Sequence, residues 1–345
     1  MNCLRKITTV GLAFVTTLLA EVPPVFMGDW QGSYINPPKG SWASGNPSLV
    51  GRIIGKADGR FEVQLMNVFE RRAAYDVHTE LKPEGGVLRY SDDEWAFTVE
   101  GEALTGTRRH ETRSGEVVQI PFELKKVVRV SSTMGRLAPE GAESLIYPGL
   151  DNLDAWVHRD GKPASWKLLP GGVLEVYSKA SGNPVGGHIY TKKAYADSEV
   201  HIEYKLPYMP EASGAHRANS GLFLQGNYEV QILDSYGVDS GWTDCGAIYK
   251  VAPSRVNRCA PPGQWQTFDI TFTAARFDEA GTMTAYPRMT VLHNGRLIHN
   301  DVEVFELPWH PEVRRKSPHP DTPLPIWLQD HGQPVQFRNF WVKEL

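Results

Sequence analysis

The chain has 345 residues, 41% of them hydrophobic, and a formal charge of −4 at neutral pH. That is too apolar for a disordered chain and long enough to fill two hydrophobic cores. The mildly acidic balance removes any electrostatic reason to bind nucleic acid.

The opening "MNCLRKITTVGLAFVTTLLAEVPP" sets Arg5 and Lys6 ahead of an uncharged apolar run from Ile7 to Ala20. The run is too short to span a bilayer comfortably, and Pro-bearing sequence follows it. Residues 1–20 therefore read as a cleaved signal peptide of an exported, periplasmic or extracellular protein with no membrane span in its mature chain. An uncleaved anchor is the alternative, because Leu18 stands where a small residue is preferred before cleavage. Cys3 precedes the apolar run, so it is not a lipid-attachment cysteine. Removing residues 1–20 takes away two cations and no acid, moving the formal charge from −4 to −6.

From residue 25 to about 130 the sequence breaks into short β-like runs. "LVGRIIGKADGRFEVQLMNVF" holds two runs around Asp58-Gly59, a strong hairpin signal. "GVLRYSDDEWAFTVEGEALTGTRRH" offers three more, with turns at Asp92-Asp93 and Glu100-Gly101. Short strands without helical period predict a small antiparallel barrel or sandwich, opening at "FMGDWQGSY". A Ser-, Gly- and Pro-rich linker follows over residues 131–141.

Residues 142–345 predict a second, larger β-sandwich. "SWKLLPGGVLEVYS", "SEVHIEYKLPY", "GLFLQGNYEVQILDS", "WQTFDITFTAARF" and "RMTVLHNGRLIHNDVEV" all alternate apolar and polar residues between turns. No segment shows a capped helix with an apolar stripe longer than a turn or two. The mature chain keeps only Cys245 and Cys259. An even pair in an exported protein reads as a disulfide, with two free thiols as the alternative.

Five motifs, "NSGLFLQGNYEVQILDSYG", "CGAIYKVAPSRVN", "PPGQWQTFDITFTAARFD", "VLHNGRLIHNDVEV" and "LQDHGQPVQFRNFWV", stand in the order and spacing of the 3-keto-disaccharide hydrolase family. Over residues 142–345 the chain resembles that family, part of the concanavalin A-like lectin/glucanase superfamily. The N-terminal region resembles a domain that precedes this module in some bacterial members. The resemblance implies an all-β jelly-roll sandwich whose concave sheet binds a carbohydrate substrate, and chemistry on glycosides whose C3 hydroxyl has become a ketone. Trp156, Trp166, Trp242, Trp265, Trp327 and Trp341 lie in this half. Aromatic faces suit the C–H faces of sugar rings, although most tryptophans are packing residues whatever the function.

Within "NYEVQILDS", Glu229 and Gln231 are two apart and project from one face of a strand. Asp234 joins them only if a β-bulge inserts a residue. The spacing is then an altered form, E-x-Q-x-x-D, of the E-x-D-x-x-E layout used by bulged members of the superfamily. A retaining glycosidase needs two carboxyls about 5–5.5 Å apart, one ionised and one protonated, which this altered set supplies poorly. A C3 ketone offers another route, because it acidifies the C2 hydrogen and permits elimination of the C1 substituent.

On this reading Glu229 and His331 are the proton-transfer candidates, histidine being the side chain suited to transfer near neutral pH. Asp234 completes the catalytic set. Arg338 and Lys250 could hold enolate charge; Gln231, Asp234 and Gln329 could bind hydroxyls; Tyr249 lies beside Lys250 on a loop that the disulfide would pin. His216 and Arg217 could rim the site. No cofactor is required, but Glu229, Asp234, Asp330 and His331 are ligand types that allow a divalent cation at the C3 oxygen. A non-catalytic lectin-like protein and a conventional β-glucanase remain alternatives.

Overall fold

The computed structural model describes residues 24–70, 75–305 and 319–345. The predicted signal peptide lies outside the described residues. No helix among those residues is long and apolar enough to cross a membrane. The fold is all-β: helix is confined to one turn at Trp42–Gly45 and three short 3₁₀ turns among the described residues.

Eight strands form the first sheet: β1 (Gly28–Tyr34), β2 (Ser48–Gly55), β3 (Phe61–Met66), β4 (Val77–Leu81), β5 (Leu88–Ser91), β6 (Trp95–Glu100), β7 (Ala103–Glu111) and β8 (Val117–Val127). Their order, β4-β3-β2-β1-β8-β7-β6-β5, is an up-and-down meander. It is nearly closed, because β1 pairs antiparallel with β8 and the ladder is broken only between β4 and β5. The hairpin expected at Asp58-Gly59 is present: both residues take left-handed φ, 59° and 66°, between β2 and β3. Alternation fills the interior, with Trp95, Phe97 and Val99 turned inward and joined by Trp30, Tyr34 and Phe122.

The second half is a sandwich. Its five-stranded sheet runs Trp156–His158, Ile189–Tyr195, Leu324–Leu328, Ser220–Leu224, Tyr228–Ile232. Its larger sheet includes, side by side, Gln336–Glu344, Ser198–Lys205, Trp265–Thr273, Arg288–His293 and Arg296–Glu303. Val200, Ile202 and Tyr204 from the larger sheet meet Leu222, Leu224, Val230 and Ile232 from the smaller in one core. Each sheet therefore turns its intervening residues away from that core.

The barrel docks on the sandwich through the segment that follows Tyr228–Ile232. The Tyr236 hydroxyl donates to Asp29 Oδ1 at 2.8 Å, and Gln64 Nε2 donates to the Gly237 carbonyl at 2.9 Å. Gly237 has φ of 81°, and a Cβ there would come within 2.1 Å of Ile54 Cδ1. Glycine is needed for both the backbone conformation and this close approach.

Candidate active site

Tyr228, Val230 and Ile232 point into the core with no exposure, so Glu229 and Gln231 between them face outward. The free edge of their strand is covered by a loop. Gly246 N donates to the Gln231 carbonyl, Gln231 N to the Ala247 carbonyl, and Tyr249 N to the Glu229 carbonyl at 3.0 Å. This pairing brings Lys250 beside Glu229. Lys250 itself has a left-handed φ of 57°, and its N–H donates to the Trp242 carbonyl.

Glu229 is 5% exposed and its carboxyl makes no hydrogen bond among the described residues. Burial raises its pKa to about 8, with the Lys250 charge pulling the other way. A carboxyl out of water and without donors favours its neutral form. Gly221 makes the room: a Cβ there would lie 2.4 Å from Glu229 Oε1 and 2.7 Å from the Phe223 ring.

Aromatic residues floor the same face. Phe223, paired with Glu229 across the ladder, stacks on Trp327 with centroids 3.5 Å apart. Trp327 also meets Tyr190 at 5.5 Å and His188 at 4.8 Å. Burial lowers the pKa of His188, and its Nδ1 accepts from the Asp330 backbone N–H. Asp330 in turn accepts from the N–H groups of Gly187 and Gly332, tying two loops at the end of the sheet.

Several buried polar atoms in the neighbouring segments lack a hydrogen-bond partner among the described residues: His331 Nδ1, Gln329 Oε1, Arg217 Nη2 and Asn219 Oδ1. Orphaned buried donors and acceptors are costly in a closed core and fit a surface that receives a hydroxylated ligand. His331 stands in the predicted Gly332 turn, its ring 6.3 Å from that of His216. Gln231 has both ends of its amide engaged, Nε2 with the Thr243 carbonyl and Oε1 with Ile232 N–H.

Residues 142–343 match the family model described as the 3-keto-alpha-glucoside-1,2-lyase-like domain, more than half of the chain. The protein belongs to that family. Membership places it among carbohydrate-active enzymes, as the motifs led us to expect. A crystal structure of a candidate glycosyl hydrolase from Parabacteroides distasonis is 34% identical over 60% of this chain and 85% of its own, with a TM-score of 0.53. A second from the same organism is 18% identical over 61% of this chain and 98% of its own, with a TM-score of 0.44. No curated protein matches the chain.

Three expectations need correction. Asp234 does not line the face with Glu229 and Gln231: its side chain is fully enclosed, with Oδ2 on Arg217 Nε at 2.7 Å and Oδ1 accepting from Tyr236 N–H. The strand ends at Ile232, and Asp234 closes the junction behind it. Arg338 lies on the larger sheet, paired with Glu203 at 2.7 Å and stacked on Trp265, away from the Glu229 strand. Cys245 and Cys259 are both free and buried. Burial pushes the Cys245 thiol up, but hydrogen bonds from Cys259 and Tyr204 outweigh it, while Cys259 is pushed up.

Among the described residues no three or more His, Cys, Asp or Glu side chains gather as a metal-ligand set. Glu229, Asp234, Asp330 and His331 do not form one. Sequence reasoning missed His188 and Tyr190. Their signal was present in "GGHIYTKKAY", where His188 and Tyr190 alternate with the buried Ile189 and Thr191.

Proposed function

We propose that this protein is an exported enzyme that cleaves glycosides carrying a ketone at C3, with Glu229 as general acid. One observation carries the reading. Glu229 is buried, without a hydrogen-bond partner among the described residues, and raised to about 8, so it holds a proton at neutral pH, while Asp234 is committed to Arg217. An acid is thus supplied without the second, ionised carboxyl of a double displacement. Export rests on Arg5, Lys6 and the apolar run behind them.

The reaction proceeds by elimination. His331 takes the C2 hydrogen as a proton; the C2–H electrons form the C2=C3 bond of an enolate. The enolate re-forms the C3 carbonyl as a C1=C2 bond forms and the C1–O bond breaks, its electrons leaving with the glycosidic oxygen. Glu229 protonates that oxygen, releasing the aglycone as an alcohol. Water then adds across C1=C2 to give the free 3-keto sugar. Lys250, whose charge acts on Glu229, supplies positive charge for the enolate oxygen. No step is assigned to a metal.

The test is hydrolysis of a glycoside and its 3-keto form in deuterated water. Keto-selective cleavage with deuterium at C2 of the product is expected. Equal rates on both substrates would overturn the substrate; keto-selective cleavage without C2 exchange would overturn the elimination.

A further inference from the structure

Glu229 belongs by its backbone to one row of the outward face and by its carboxyl to the next. Its backbone pairs with Phe223 and, through it, follows the row of Trp327 and Tyr190. Its carboxyl leans over Gly221, where a Cβ would stand 2.4 Å from Oε1. The row through Gly221 runs Gln231, Gly221, Gln329, His188, because Gly221 pairs with Gln231, Gln329 N–H donates to the Gly221 carbonyl at 3.0 Å, and Asp330 N–H donates to His188 Nδ1 at 3.0 Å. Their chain neighbours Ile232, Leu222, Leu328 and Ile189 point into the core with no exposure, so all four turn outward.

His188 is the member of this row that the reaction above does not use. Its orientation and its hydrogen are both fixed. Nδ1 accepts from the Asp330 N–H, while the Asp330 carboxylate holds the N–H groups of Gly187 and Gly332 and so anchors that residue on both sides. The half-buried ring rests against Trp327, with centroids 4.8 Å apart. Burial lowers its pKa and keeps it neutral, and a neutral imidazole whose Nδ1 accepts carries its hydrogen on Nε2. That Nε2–H has no acceptor among the described residues. Gln329, between His188 and Gly221, has a buried Oε1 that likewise lacks a partner among them.

Adjacent strands lie about 4.8 Å apart, so Gly221, under the acid's carboxyl, and His188 are roughly 10 Å apart. A hydrogen bond of about 2.8 Å at each end leaves roughly 4 Å, the separation of the oxygens on C1 and C3 of one pyranose. We infer that His188 is a catalytic residue whose Nε2–H donates to the C3 oxygen while Glu229 meets the oxygen on C1. The inference rests on the elimination proposed above. As the C2–H electrons form the C2=C3 bond, charge moves onto the C3 oxygen and this hydrogen bond strengthens; the hydrogen stays on Nε2. Lys250, across the other edge of the Glu229 strand, acts on that oxygen through its charge, and His188 acts through contact.

Two rates separate the roles: cleavage of a 3-keto glycoside, and exchange of the C2 hydrogen of the free 3-keto sugar in deuterated water, which needs the enolate but no leaving group. Removing an oxyanion donor costs about 10²–10³-fold. His188→Ala is expected to lower both rates by that factor, chiefly in kcat, His188→Gln, which keeps a donor, to lose less, and Glu229→Gln to lower cleavage alone. His188→Ala that retains both rates, or loses cleavage and retains exchange, overturns the assignment while the elimination stands. Wild type that neither cleaves nor exchanges overturns the elimination and the assignment with it. The imidazole nitrogen resonances of His188 in wild type decide the same point without a variant: with the 3-keto sugar bound, the hydrogen is expected on Nε2 and its signal shifted. A hydrogen on Nδ1, or no shift, overturns the donor.

Discussion

The outer face of the larger sheet and the outer face of the five-stranded sheet each bury a glutamate, Glu203 at 1% exposure and Glu229 at 5%. Around Glu203 every oxygen is used. Gly135 N–H and Asn339 Nδ2 donate to Oε1 at 2.6 and 2.9 Å, and Arg338 Nε donates to Oε2 at 2.7 Å. His201 beside it donates to Asp269 Oδ1 at 2.8 Å, and Thr133 and Arg136 from the linker complete Asp269. Burial works against the Glu203 charge, yet these donors, His201 first among them, outweigh it and lower its pKa to about 2. Glu229 has comparable burial and no donor among the described residues, and its pKa is raised to about 8. Burial alone therefore does not set the protonation state of a carboxylate; the donors that come with burial do.

The sharpest way to break this contrast is to neutralise each glutamate. Glu229→Gln keeps the shape but cannot donate an acid proton, and turnover of a 3-keto glycoside should fall about 10²–10⁴-fold with KM little changed. Arg338→Ala, on the other face, should leave kcat within about twofold, and a large loss there would return Arg338 to the site.

Glu203→Gln leaves Arg338 without its buried counter-charge, while His201 keeps Asp269. It should cost about 3–5 kcal/mol of stability by denaturant unfolding at pH 7, with kcat of the folded enzyme retained. Because the folded pKa is depressed, the contribution of Glu203 is present above about 4.5 and is lost as pH falls toward about 2. The gap between variant and wild type should close over that window; a gap constant with pH would mean that packing, not charge, is what was removed.

Gly221→Ala tests the space beside Glu229. The added Cβ must displace the carboxyl or the Phe223 ring, and a displacement near 1 Å should cost about 10²-fold in kcat/KM while the far-ultraviolet spectrum stays that of wild type. Full activity would show that Glu229 need not lie where it does.

The last expected effect concerns stability against pH. The folded pKa of Glu229 is raised above its unfolded value, so the folded state holds a proton that the unfolded state has lost between about 4.5 and 8. Stability should fall as pH rises through that window. Glu229→Gln should therefore be more stable than wild type at pH 8, by up to about 4 kcal/mol, and nearly equal to it at pH 4.5. A variant less stable at pH 8 would mean that Glu229 has donors not seen in the structure.

Much of the frame was legible in the sequence because alternation and turn chemistry are local. Asp58-Gly59 demanded two left-handed residues and made a hairpin; Tyr228, Val230 and Ile232 could only face one way, which sent Glu229 and Gln231 the other. His188 and Tyr190 were legible on the same ground. Asp234 was not, since its enclosure depends on Arg217 and on a junction with the barrel that no local pattern encodes. Nor was the free state of Cys245 and Cys259, which an even count cannot decide.

By itself the sequence determined the strands, the turns and the parity of each side chain, because a period of two is a property of the chain and needs no partner. Only the tertiary structure decided what covers each face. The linker brings Gly135, Thr133 and Arg136 over Glu203 and Asp269 and holds their charge, while among the described residues no donor reaches the Glu229 carboxyl, whose pKa burial raises to about 8. That difference arises from donors distant in sequence arriving, or not arriving, within hydrogen-bond reach, and parity along a strand contains no information about it.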